Sequence, residues 1–202
     1  EWKHSIGLAV SEDGIHFTKR ETPVLEGRCP EIVYDGKKFW LYYVIEQAPH
    51  GYDIFCAVSE DGSSFEPLGE TPVLAVGEQG SWESFSVTTP RIFQEGGVYY
   101  MVYAGDNKNL DAPLYFGLAV SRDLVHWKKY AGNPVFRVST QPDAWDNTNI
   151  WFGTTEKIGD TYYMWYEACN QYRERGLPDF LSVVGLATMK APYFFVKPEE
   201  VI

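Results

Sequence analysis

The stretch WESFSVTTPRIFQEGGVYYMVY, from Trp82 to Tyr103, returns along the chain in the same register. It recurs without a gap as WDNTNIWFGTTEKIGDTYYMWY from Trp145 to Tyr166, and RCPEIVYDGKKFWLYY at residues 28–43 is a shorter copy. Each copy is an apolar run, a glycine-containing turn and an aromatic run, which is the pattern of a β-hairpin. The chain is therefore built from repeated hairpins.

A second repeated phrase lies between the hairpins. It reads GLAVSEDGIHF at 7–17, FCAVSEDGSSF at 55–65 and GLAVSRDLVHW at 117–127, and a Pro-Val pair follows each copy. Each phrase predicts two further strands, so a repeat of about 50 to 65 residues holds four antiparallel strands and no helix signal. That combination is typical of a β-propeller blade, and the fold class is predicted as all-β, a propeller of four-stranded antiparallel blades.

The order of the strands predicts an incomplete ring. We expect a single domain over residues 1–202, with an orphan outer pair at 5–20 and blades at about 28–67, 82–130 and 145–197. This is about three and a half blades, whereas closed propellers usually have about four to eight. Two explanations stay open: a lost N-terminal segment, or self-association in which a second chain completes the ring.

Charge and cysteine content narrow the possible partners. The formal net charge is −11 without a basic run, which argues against nucleic acid and against an anionic membrane surface. No apolar stretch approaches the roughly 18 residues that cross a bilayer. The three cysteines, Cys29, Cys56 and Cys169, form neither a disulfide framework nor a CxxC zinc motif.

The phrases S-x-D-G-x-x-F at 11–17 and 59–65 are similar to the Asp-box of sialidases but one residue short. We interpret them as β-turns, with Asp and Gly supplying the turn, and we assign them no catalysis. His16 and His126 fall in the same phrase and are interpreted as structural.

Candidate site residues come from the geometry of propellers, in which strand 1 of every blade lines the axis. Glu83 and Asp146 occupy equivalent positions on adjacent repeats, as a general acid and base acting across a glycosidic bond would. Glu31 is a third candidate acid. Side chains that could hold the sugar, or a carboxylate or phosphate group, are Trp82, Trp145, Trp151, Asn149, Arg91 and Arg28. The alternative is that Trp82-Glu83 and Trp145-Asp146 are packing features of the repeat.

The phrases GLAVSEDGIHF, TPRIFQEGGVYYMVYAG and TEKIGDTYYMWYEA resemble the five-bladed propeller glycosidases, that is, glycoside hydrolase families 43, 32, 62 and 68 and the mannoside phosphorylases of family 130. The resemblance covers nearly the whole chain. It implies a funnel-shaped carbohydrate site at the mouth of the axial channel, with three acids at the strand-1 starts of successive blades. It also leaves room for an axial Ca²⁺, although no other cofactor is expected.

The chain departs from the family's catalytic motifs. The family 43 pattern has acids next to the aligned prolines, whereas Cys29 and Thr89 precede Pro30 and Pro90 here and Gly153 replaces the third proline. The leading hypothesis is a glycoside hydrolase acting on oligo- or polysaccharide, with phosphorolysis open. The alternatives are a propeller that binds carbohydrate without catalysis and a protein-interaction propeller.

Overall fold

The computed structural model describes residues 4–108, 112–169 and 182–191, and the regular elements in these ranges are all β-strands. The strand predicted near 193–197 lies outside them. The first sheet contains β5 (Arg28–Tyr34), β6 (Phe39–Glu46), β7 (Tyr52–Ser59) and β8 (Glu66–Pro67), antiparallel and in that order. The second contains β9 (Ser86–Glu95), β10 (Val98–Asp106), β11 (Tyr115–Ser121) and β12 (Lys128–Lys129), with β13 (Phe136–Arg137) also on β11. The third contains β14 (Asn149–Ile158), β15 (Thr161–Cys169) and β16 (Ser182–Lys190).

The N-terminal segment forms two small pairs that follow the outer half of a blade. Here β1 (Ser5–Ile6) pairs with β4 (Leu25–Glu26), and β2 (Ala9–Val10) pairs with β3 (Thr18–Lys19). The second blade has the same pattern, because β11 pairs with both β12 and β13. This segment therefore has the pairing pattern of the outer half of a blade, and it precedes three sheets whose inner strands β5, β9 and β14 contact one another in turn.

The Pro-Val pairs explain a strand that the sequence pattern did not predict. Val24, Val73 and Val135 each donate a backbone hydrogen bond of 2.8–2.9 Å to the third strand of their repeat. The next residue then pairs with that strand, as Leu25 with Ile6, Leu74 with Ile54 and Phe136 with Phe116. The N-terminal segment, the first blade and the second blade thus each gain a short extra contact on strand 3.

The outermost strands are shorter than predicted. The repeated phrases predict fourth strands at 63–67 and 125–130, and this prediction is wrong in length, since only Glu66–Pro67 and Lys128–Lys129 pair. The reason is the Ser-x-Asp turn. The Asp61 carboxylate accepts the backbone N–H groups of Ser63 and Ser64, and Asp123 does the same for Val125 and His126. Those amides are therefore not available for a ladder.

The core lies between the sheets. One cluster of buried side chains, including Tyr42, Ile54, Met101 and Tyr103, fills the space between the first and second blades. Another, including Phe116, Leu118, Ile150 and Tyr166, fills the space between the second and third. The aromatic second strands supply much of this volume, as expected for wedge-shaped gaps between twisted sheets. No helix among the described residues has the length and apolar character needed to cross a membrane.

Candidate functional site

The inner strand of every blade is interrupted at the same position. Cys29, Thr89 and Phe152 have φ angles of 51°, 48° and 54°, and the strand register shifts beside each of them. Positive φ is unusual for any residue with a side chain and is a clear outlier for a β-branched threonine. Bulges and strained backbone of this kind concentrate at functional sites. The three bulges lie near the N-terminal ends of the inner strands. We therefore take these strand ends as the candidate site.

The Arg28 guanidinium at the start of β5 is held by an aromatic neighbour. Its Nη1 donates a 2.6 Å hydrogen bond to the Tyr52 hydroxyl, and its guanidinium carbon lies 5.0 Å from the centre of that ring. Across the gap between blades, the Thr88 hydroxyl lies 3.9 Å from the Cys29 sulfur. The third blade supplies Trp151 at the position equivalent to Arg28 and Thr88, and its ring is largely buried.

Glu31, Arg91 and Phe152 join three inner strands. Glu31 Oε1 accepts the Ile92 backbone N–H at 2.9 Å, and its Oε2 lies 3.4 Å from Arg91 Nη1. The Arg91 guanidinium also donates to the Pro90 carbonyl and lies 4.8 Å from the centre of the Phe152 ring. Burial raises the pKa of Glu31, opposed by the Ile92 hydrogen bond and the Arg91 charge. A partly exposed carboxyl that holds its proton more tightly than usual suits a general acid.

Asn149 lies at the start of β14 and is almost fully buried, with its side-chain oxygen 3.7 Å from the Cys169 sulfur. The two residues also pair across β14 and β15. Asn149 therefore belongs to the same end of the third blade as Trp151.

Glu83 makes its contacts away from the inner strands. Its carboxylate is buried, with Oε2 3.0 Å from Lys129 Nζ on the outermost strand β12. The adjacent Trp82 stacks on Tyr103 of β10, with ring centroids 5.9 Å apart. Burial, followed by the Glu83 charge, raises the pKa of the Tyr103 hydroxyl. Trp82 and Glu83 thus dock together on the second strand of their own blade.

Asp146 and Trp145 repeat this arrangement in the third blade. Trp145 stacks on Tyr166 with centroids 5.5 Å apart, and the Tyr166 hydroxyl donates to Asp146 Oδ2 at 3.0 Å. Burial raises the pKa of Tyr166, with a further contribution from the Asp146 carboxylate. The contacts of both Trp-acid pairs fit the packing alternative that the sequence left open.

The structure thus brings Glu31 and Arg91 together between the inner strands β5 and β9. Arg28, Asn149 and Trp151 lie near the N-terminal ends of the inner strands β5 and β14. Sequence reasoning missed Phe152 and Tyr52. Phe152 could have been found because it aligns with Cys29 and Thr89 in the repeat. Tyr52 could not, because its contact with Arg28 joins β7 to β5 across β6, and the repeat alignment carries no information on that contact.

Within residues 4–108, 112–169 and 182–191, no three His, Cys, Asp or Glu side chains come together in a way that could hold a metal ion. The axial Ca²⁺ stays a prediction.

No protein-family model matches the chain. Two solved structures share its architecture. A glycosyl hydrolase from Bacteroides ovatus superposes with a TM-score of 0.71 at 18% identity, covering 93% of this chain and 58% of that one. The second structure superposes with a TM-score of 0.70 at 19% identity and has the same coverage. It is described as belonging to the family 130 mannoside phosphorylases, which contain glycoside hydrolases that target β-1,2-mannosidic linkages in Candida mannan. The chain shares the β-propeller fold of these two structures.

The resemblance inferred from the repeats is therefore confirmed at the level of the fold. In sequence, the chain is 31% identical over 128 residues to an uncharacterised protein of Mycobacterium tuberculosis, covering 59% of this chain and 41% of the relative. It is 34% identical over 110 residues to a β-1,2-mannobiose phosphorylase of Thermoanaerobacter sp., covering 48% and 35%. The chain thus spans less than half the length of these relatives.

Proposed function

We propose that this propeller is carbohydrate-active and binds an oligosaccharide near the N-terminal ends of its inner strands. The observation that carries the proposal is the set of equivalent strained bulges at Cys29, Thr89 and Phe152 on neighbouring inner strands. The proposal is supported by the general geometry of propellers, in which the inner strands surround a central channel and ligands bind in concave sites. Trp151, Asn149 and the adjacent Arg28 supply an aromatic ring and polar groups suited to a sugar. The similarity to a β-1,2-mannobiose phosphorylase makes a β-1,2-linked mannoside the first substrate to test.

For the reaction, we propose glycoside hydrolysis with Glu31 as a proton donor. Its carboxyl lies on an inner strand, is partly exposed and has a raised pKa. Glu83 and Asp146 remain candidate partners, and Trp82 and Trp145 remain candidate sugar-stacking residues. Phosphorolysis is less well supported, because the two inner-strand arginines, Arg28 and Arg91, already have protein partners and a phosphate would have to compete for them.

A carbohydrate-binding propeller without catalysis is the second candidate. It is favoured by the contacts of Glu83 with Lys129 and of Asp146 with Tyr166, which hold these acids on their own blades. Paired carboxylates in glycosidases instead face each other across the scissile bond, about 5 to 10 Å apart.

The test is product chromatography with β-1,2-mannobiose, with and without phosphate, on the wild-type chain and on Glu31→Gln, Glu83→Gln and Asp146→Asn. Mannose release without phosphate that is lost in Glu31→Gln supports the proposal. A requirement for phosphate would make the protein a phosphorylase. Saturable binding by calorimetry without turnover would leave the second candidate, and a folded protein that neither binds nor cleaves any oligosaccharide of a broad panel contradicts both.

A further inference from the structure

A histidine–aspartate pair lies in the loop between β6 and β7. His50 Nε2 is 2.9 Å from Asp53 Oδ2, and the Asp53 side chain is only 5% exposed whereas that of His50 is 27% exposed. The other carboxylate oxygen of Asp53 accepts the Val76 backbone N–H at 2.8 Å. The aspartate is thus fixed from two sides, and it fixes the imidazole while leaving part of the ring in contact with solvent.

Two other pairs in the chain show that this arrangement is not the common turn motif. His16 with Asp13 and His126 with Asp123 have the same three-residue separation. In both, however, the ring uses Nδ1, the histidine is almost fully exposed and the aspartate caps the Ser-x-Asp turn. The pair at His50 uses Nε2 and a buried aspartate, so its Nδ1 remains on the opposite side of the ring.

The loop that carries His50 lies against the entrance of the second blade. The Gly51 N–H donates to the Phe85 carbonyl at 2.7 Å, and the Tyr52 N–H donates to Ser86 Oγ at 3.3 Å. Ser86 is the first residue of the inner strand β9 and Phe85 directly precedes it, and Tyr52 is a partner of Arg28. His50 therefore lies at the strand-1 entrance end of the molecule, where loops between second and third strands meet the inner strands.

The chemistry of the pair follows from its tautomer. A carboxylate accepts hydrogen bonds, so the proton of a neutral imidazole lies on Nε2 and Nδ1 keeps its lone pair. We infer that His50 is a sugar-binding residue, held by Asp53 so that Nδ1 accepts a hydrogen bond from a hydroxyl of the bound oligosaccharide. Asp53 acts through His50 and is a positioning residue. This inference rests on the proposed function.

The test is a calorimetric and NMR titration of the full chain with β-1,2-mannobiose, using protein labelled in histidine and tryptophan rings. We expect the ¹⁵N resonance of His50 Nδ1 to shift together with the Trp151 indole signal. His50→Gln should weaken binding by up to about tenfold, the upper end of the effect of losing one well-placed hydrogen bond between neutral groups. His126→Gln, the matched control in an outer turn, should bind as wild type does.

Asp53→Asn separates positioning from folding. Its amide oxygen can still accept the Val76 N–H, whereas its NH₂ group would donate to Nε2 and move the imidazole proton to Nδ1. We expect a folded variant with the reversed His50 tautomer in its ¹⁵N spectrum and weaker sugar binding.

The outcomes distinguish the two proposals. A Trp151 shift with an unchanged His50 resonance, or unchanged affinity in His50→Gln, would overturn the inference and leave the proposed function standing. If no tryptophan or histidine resonance shifts with any oligosaccharide of the panel, both fail.

Discussion

At the scale of single residues, two blades combine a tryptophan in the loop before the inner strand with a glycine on the third strand, against which the tryptophan ring packs. A Cβ at Gly117 would lie 2.5 Å from Tyr103 Cζ and 2.7 Å from Trp82 Cη2, and one at Gly185 would collide with Trp145. In the first blade the equivalent residue is Phe55, whose ring packs near Tyr43 with centroids 6.1 Å apart. The same space is thus filled either by a tryptophan from the preceding loop or by a phenylalanine on the strand itself.

This coupling gives a first prediction. Gly117→Ala should lower the free energy of unfolding by about 1–3 kcal/mol, because the added methyl group forces the packed Trp82 and Tyr103 rings apart. Gly7→Ala is the matched control, since Gly7 is the equivalent residue of the N-terminal repeat and has no atom within 4 Å of a Cβ built there. Urea unfolding measures both. Equal effects in the two variants would contradict the packing explanation.

The largely buried carboxyl of Glu31 gives a second prediction, about how the free energy of unfolding depends on pH. Because burial raises its pKa, the folded chain holds this proton more tightly than the unfolded chain. The contribution of Glu31 to stability is therefore most favourable below the ordinary glutamate pKa and falls as pH rises through the folded value. The stability of Glu31→Gln relative to wild type should increase between about pH 3 and about pH 7, as measured by urea unfolding.

Asp35 provides a control of opposite sign. The hydrogen bond from the Lys38 N–H, followed by that from the Trp40 indole, holds the pKa of Asp35 below its usual range. Its stabilising contribution is present above the ordinary aspartate pKa and lost as pH falls. Over the same pH range, Asp35→Asn should lose stability relative to wild type as pH rises. Parallel pH trends in the two variants would show that the trend does not come from Glu31.

At the scale of elements, the Ser-x-Asp turns show how one motif tolerates different residues. The position after the aspartate is Gly14, Gly62 and Leu124, with φ of 73°, 72° and 67°. The leucine accepts this left-handed conformation because its side chain is buried between the first two blades. Its carbonyl also accepts a 2.6 Å hydrogen bond from the Tyr42 hydroxyl.

A third prediction follows from this turn. Leu124→Gly relieves about 1 kcal/mol of backbone strain but removes a buried leucine worth about 2–5 kcal/mol. We expect a net loss of about 1–4 kcal/mol in the free energy of unfolding. The reverse exchange, Gly14→Leu, places a leucine whose Cβ has no atom within 4 Å, and we expect it to cost about 1–2 kcal/mol of backbone strain. A gain of stability in Leu124→Gly would mean that the turn, not the core contact, dominates.

The repeats made the hairpins predictable from sequence, because strands β5, β6, β9, β10, β14 and β15 follow aligned phrases. Side-chain partners were less accessible. Glu83 and Asp146 align across blades, yet each is directed to a tyrosine or lysine of its own blade, and a repeat alignment carries no information on that direction. Glu31 was predicted from strand position alone, whereas its contact with Arg91 depends on how two blades meet.

At the scale of the whole molecule, equivalent residues differ in exposure according to which neighbours they have. Ala119 and Val120 of the second blade are buried, whereas Ala9 and Val10 are exposed, with Val10 at 60%. At the other end of the described arc, Val184 is 74% and Leu186 is 53% exposed, although their counterparts Phe116 and Leu118 are fully buried. Both ends thus present apolar side chains that another blade covers elsewhere in the molecule.

Such edges favour association, because an unpaired strand beside exposed apolar side chains is a template for another chain. We therefore predict that the isolated chain has a light-scattering mass above its monomer value of 23.1 kDa. Val10→Lys should reduce this mass without loss of stability, since a charge on an edge strand opposes pairing. The equivalent Val120→Lys should unfold the chain, because it buries an unpaired ammonium group. A wild-type mass of one chain, or association unaffected by Val10→Lys, would show that the β1–β2 edge does not drive self-association.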